Sequence, residues 1–197
     1  MKHMERDMTP DESLRLIEGM INQAKQSFHR MSFYFLLWGV LLLLAMASQV
    51  LTGYAGWSDH GYAWGVVGII GAVVSAIHGM REGKRTRVET ATDRVLMWLW
   101  TAFIITLLTT VVGAGVAGYT TPVASIMVLT GLPTFLTGQM MRFKPLIYGG
   151  ILFWVLGAAC FLAEPVIMAV LYIVAMLFGY IVPGLMLKRQ EDVLRTA

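Results

Sequence analysis

Residues 61–80 read GYAWGVVGIIGAVVSAIHGM, twenty positions without an Asp, Glu, Lys or Arg. A helix of about twenty residues matches the roughly 30 Å hydrocarbon core of a bilayer. Gly61, Gly65, Gly68, Ala72, Ser75 and Gly79 recur within it every three or four positions. At about 100° per residue they fall within roughly 40° of one line down the helix. Lipid tails give no hydrophobic drive between helices, so association relies on close backbone approach along such lines. The segment reads as a membrane span, and its small residues as a helix-packing face.

The rest of the 197-residue chain agrees with that reading, being 57% hydrophobic and only 14% charged. Soluble domains carry about 25% charge. The mean hydropathy is +0.67. A net charge of +3 and a pI near 9.1 invite a nucleic-acid reading, but the basic residues sit in short segments between apolar runs. That distribution is a topology signal. The expected surroundings are a lipid bilayer, with no nucleic acid. Cys160 is the lone cysteine and lies in an apolar run, which excludes an internal disulfide framework and a Cys-rich metal site.

Working outward, Ser32–Thr52 (SFYFLLWGVLLLLAMASQVLT) gives a span before the quoted one. No charge falls between Val95 and Met141, too long a run for one crossing and suited to two, with Gly118-Tyr119-Thr120-Thr121-Pro122 as the turn. Leu146–Ala163 and Val166–Leu187 make a fifth and a sixth span, joined by a corner at Glu164-Pro165. With six spans, Lys2, Arg6, Arg15, Lys25 and Arg30 share one side with Arg81, Lys84, Arg85, Arg87 and Arg94. Arg142, Lys144, Lys188, Arg189 and Arg195 join them there, so all 15 cations lie on one side. The positive-inside rule makes that side cytoplasmic and sets both termini there.

Ahead of the spans, Thr9-Pro10-Asp11-Glu12 is a helix start with a cap, a first-turn proline and a capping-box acid. Leu14, Ile17, Met20, Ile21, Ala24, Phe28 and Met31 then form an apolar stripe opposite Glu18, Asn22, Lys25, Gln26 and His29. This amphipathic helix could lie at the headgroups, pack under the bundle or pair with another helix. The expected fold is all-α. Residues 1–30 form the cytoplasmic amphipathic segment, 31–187 a six-transmembrane-helix bundle and 188–197 a short solvated tail.

TPDESLRLIEGMI (9–21), SFYFLLWG (32–39) and FKPLIYGG (143–150) carry a resemblance across most of the length. The chain resembles six-span bacterial inner-membrane proteins with no assigned function. The resemblance implies an inner-membrane protein that works through association.

Candidate functional residues are few. Thr106, Thr109 and Thr110 of the third span and Thr130, Thr134 and Thr137 of the fourth form faces able to line a water-filled path. The same hydroxyls can instead bond their own helix carbonyls. His78 is the ionisable residue inside a span, one turn from the cytoplasmic end. Asp59, His60 and Glu164 are the ionisable groups expected on the outer face, where a metal or proton-transfer role competes with simple solvation. Haem ligation by His60 and His78 fails, since eighteen residues of helix separate them by roughly 27 Å.

Pro133 and Pro183 should kink their helices and free backbone carbonyls. The sequence contains no phosphate-binding glycine loop, no His-Glu-x-x-His and no Gly-x-Ser-x-Gly. These features point away from an enzyme and a cofactor. They leave a membrane component acting by self-assembly or by binding a membrane or cytoplasmic protein, with a small-solute channel as the alternative.

Overall fold

The computed structural model describes residues 10–56, 62–83, 91–116 and 123–196. Every regular element among them is helical. Helix α1 spans Pro10–Tyr54, α2 Tyr62–Gly83, α3 Ala91–Val116, α4 Val123–Met140 and α5 Lys144–Cys160. Helix α6 spans Pro165–Met176 and passes through a π-helical turn, Leu177–Ile181, into α7, Val182–Thr196. Five stretches are long and apolar enough to cross a membrane: Met31–Tyr54, Tyr62–Arg81, Thr92–Val116, Val123–Met140 and Pro165–Gln190. A sixth apolar helix, α5, has 17 residues, about 25 Å of rise.

Helix α1 is one rod of 45 residues, about 68 Å. It joins the amphipathic stretch to the first span without a break at residue 30. Nothing between Gly19 and Gly39 interrupts it, because that interval has neither Gly nor Pro. The expected Thr9 cap lies outside the described residues. At the other end, the expected tail is a continuation of α7 to Thr196. Its sequence also lacks a helix breaker.

The corners follow from local chemistry. Helix α4 ends with the Phe143 N–H donating to the Gly138 carbonyl at 2.9 Å, and Arg142 holds φ 50. This is the wrap that usually takes glycine at the left-handed position. Glu164, preceding Pro165, is extended with ψ 158, as a proline ring demands of its predecessor. Pro183 has no N–H to offer the Gly179 carbonyl four residues back. The helix passes the defect with the π-helical turn, where the Val182 N–H reaches the Leu177 carbonyl.

The helices neighbour one another in the order α2, α1, the α6–α7 rod, α5, α4, α3. Helices α4 and α5 share the largest interface. A Cβ at Gly150 would fall 2.6 Å from the Phe135 nitrogen, and one at Gly138 would fall 2.6 Å from the Ile147 nitrogen. These backbones touch in a way only glycine permits. Met127, Leu146, Phe153, Met176 and Leu187 fill the core around them. Phe153 and Phe35 each meet the Tyr180 ring edge-on at 5.2 Å, tying the middle of the rod to α5 and α1.

Candidate functional site

Each threonine of α4 spends its hydroxyl on its own helix. Thr130 donates to the Ile126 carbonyl at 2.7 Å, Thr134 to Thr130 at 2.8 Å and Thr137 to Pro133 at 2.7 Å. Thr134 and Thr137 are 0% exposed. In a water-free interior an unbonded hydroxyl costs several kcal/mol, roughly, so these bonds make the burial tolerable. The α4 face is packed core.

On α3, Thr106 and Thr109 are exposed on the outer surface and Thr110 is half-buried. They donate to the carbonyls of Ala102, Ile105 and Thr106 at 2.9, 2.8 and 2.8 Å. The two threonine faces therefore do not meet across a lumen within the protomer. Helix α3 instead turns Leu96, Trp100, Phe103 and Leu107 inward. Trp100 lies edge-on to Phe35 at 6.0 Å, and its indole N–H has no acceptor among the described residues.

The small-residue line of α2 divides in two. Ser75 belongs to the seam with α1: its Oγ accepts from the Trp38 indole at 3.2 Å, and its carbonyl accepts from the Tyr34 hydroxyl at 3.5 Å. Gly79 lies beside the Tyr34 hydroxyl, 3.2 Å from where a Cβ would stand. Gly65 and Gly68 have no atom within 4 Å of a Cβ position, and Ala72 is exposed. Gly61 lies outside the described residues. The glycine that α1 does use is Gly71, whose missing Cβ is replaced by the Trp38 ring at 2.7 Å. At about 100° per residue, Gly71 stands some 80° from the predicted line. Helix α2 is thus rotated so that most of that line faces away from its own protomer.

His78 is half-buried in the same seam. Its ring stacks on Phe33 at 3.8 Å and 20° and meets Tyr34 edge-on at 5.6 Å. Further along, the Trp64 indole donates to Gln49 Oε1 at 2.5 Å and abuts Tyr172 at 5.7 Å. Glu164 is an exposed helix-start residue with no side-chain cap bond, its carbonyl accepting from the Met168 N–H at 2.8 Å. Asp59 and His60 lie outside the described residues. Among the described residues no group of three His, Cys, Asp or Glu could hold a metal ion.

The glycines that bring α4 and α5 together escaped the sequence reading, although they leave a signal. Gly131-Leu132-Pro133-Thr134-Phe135-Leu136-Thr137-Gly138 and Gly150–Gly157 both place glycines seven apart, two helical turns on one face. Gly131 meets Trp154 and the Gly150 carbonyl, and Gly157 meets Val128. Two matched pairs on consecutive helices with a short turn between them mark a hairpin seam. No family model, curated protein or solved structure matches the chain.

Proposed function

We propose that the protein is a non-catalytic, multi-pass component of a bacterial inner membrane that works by assembling with copies of itself. The observation that carries this reading is the outward line of α2, where Gly65, Gly68 and Ala72 are left uncovered by the described residues of the protomer. A second helix could approach such a line closely enough for dispersion and Cα–H contacts to hold it. The reading includes six crossings with both termini in the cytoplasm. Supporting it, Arg81 and Arg142 lie at the ends of α2 and α4 and Lys188 near the end of the apolar stretch Pro165–Gln190, while Arg94 and Lys144 lie at the starts of α3 and α5. The amphipathic stretch of α1, with the basic Arg81–Arg94 stretch of the sequence, is then the contact region for a protein partner.

Disulfide crosslinking in native membranes tests this. In a Cys160→Ala background, Ala72→Cys should form a covalent dimer under mild oxidation. Ile70→Cys, on the opposite side of α2, should not. Equal crosslinking at both positions, or none at either, defeats self-assembly along this line.

A further inference from the structure

The π-helical turn does more than absorb Pro183. Beside it the α6–α7 rod touches α5 backbone to backbone: a Cβ at Gly149 would fall 2.9 Å from the Gly179 carbonyl oxygen. Along the same seam lies a groove of about 380 Å³, lined by Pro145, Tyr148, Leu152, Val174, Phe178 and Val182 around Gly149 and Pro183. Its wall has no charged side chain, and Tyr148 brings the one side-chain hydroxyl. Phe178 and Val182 are exposed on its outer rim, so it opens toward the surrounding lipid.

From Pro145 to Leu152 the wall rises about 10 Å, and the groove runs along it as an open apolar channel able to take a flexible hydrocarbon chain lengthwise. A second helix would enter it only with its side chains.

Charge gathers at one end. Lys144 stands four residues before Tyr148 and eight before Leu152, continuing the α5 wall by one turn. Arg189 stands seven residues after Val182, continuing the α7 wall by two. Both are exposed, and Arg142 adds a third cation at the α4–α5 corner. Basic side chains at one mouth of an apolar cleft between spans, the cytoplasmic mouth in the topology proposed above, select anionic headgroups.

We propose that this groove is a binding site for an anionic phospholipid, one acyl chain lying between α5 and the α6–α7 rod and the phosphate held by Lys144 and Arg189. The inference stands apart from self-assembly along α2, since the groove lies between α5 and the α6–α7 rod and uses no residue of α2.

Native mass spectrometry of the purified full-length protein, loaded from mixed micelles of dioleoyl phosphatidylglycerol and dioleoyl phosphatidylcholine, tests it. The expected result is preferential retention of phosphatidylglycerol. Lys144→Gln and Arg189→Gln should each cut that preference about fivefold, and Arg94→Gln, away from the groove, should leave it unchanged. Val174→Phe, filling the groove, should lower retention of both lipids; unchanged melting of each variant shows that the fold persists. Equal retention of the two lipids overturns the proposal, as does a preference indifferent to Lys144 and Arg189. A Val174→Phe variant that keeps its lipid but changes oligomeric state overturns it too, assigning the groove to a second chain.

Discussion

Helices α4 and α2 both carry small residues at helical spacing, and they use them in opposite ways. Half of the α4 span is buried, against 6% of the α2 span. Gly131 and Gly138 of α4 face Gly150 and the Leu146–Ile147 backbone of α5 at distances no Cβ would allow. Gly65 and Gly68 of α2 face open space. Small residues make close approach possible, but only a partner with matching gaps, delivered by a short turn, converts the possibility into a contact. In α4–α5 the partner is the next helix, three residues away. For α2 the preceding helix has no glycine line; it offers side chains instead, Trp38 filling the notch at Gly71 and Tyr34 lying beside Gly79.

The same chemical change should therefore have different signs in the two places. Gly150→Ala puts a methyl 2.6 Å from the Phe135 nitrogen and 2.7 Å from its Cα, atoms that cannot move without shifting a helix. We expect a loss of about 3 kcal/mol, at the upper end of overpacking costs, read as a lowered unfolding midpoint in detergent. A variant as stable as the parent would mean that α4 and α5 are less tightly joined than their backbones indicate, and the contrast with α2 would collapse.

Gly71→Ala falls between the extremes. Its methyl would meet three carbons of the Trp38 ring at 2.7 to 3.0 Å, a side chain rather than backbone. The ring can tilt, at the expense of its bond to Ser75 Oγ. A loss of about 1 to 2 kcal/mol is expected, accompanied by a change in tryptophan fluorescence as the indole leaves its acceptor. If stability falls while the fluorescence stays constant, the strain is relieved by α2 moving as a whole, and the seam is softer than proposed.

Much of this architecture was legible in the chain. The apolar runs, the Glu164-Pro165 corner and the disturbance at Pro183 follow from local rules: hydropathy over helical lengths, and a missing N–H. The continuity of α1 was legible too, in the absence of any breaker between Gly19 and Gly39, but the change of composition near residue 30 masks it. What local rules do not supply is rotation about a helix axis. Ser75 belongs to the predicted line of α2 and is engaged, while Gly68, two turns away, is not. The line lies at the edge of the buried face, and the offset is set by Trp38 on another helix. The threonine faces show the same limit. Thr134 and Thr109 make the same bond to their own helix, yet one is in the core and the other on the surface, because α4 is packed between α5 and α3 whereas α3 sits at the end of the row.

Gly68→Ala has the smallest expected effect and separates the protomer from its assembly. In an isolated protomer the new methyl meets nothing within 4 Å. The substitution then only removes the conformational freedom of glycine, a gain of about 0.5 to 1 kcal/mol. In an assembly joined along α2 the same methyl enters the gap between two backbones, and the gain is cancelled or reversed by a weaker association. Unfolding midpoints measured at rising protein-to-detergent ratio should therefore start above the parent and fall below it as copies meet. A gain that holds at every ratio would leave α2 facing lipid in the assembled state. The outward glycines would then be span composition without a partner, and the difference between α4 and α2 would be one of use against disuse.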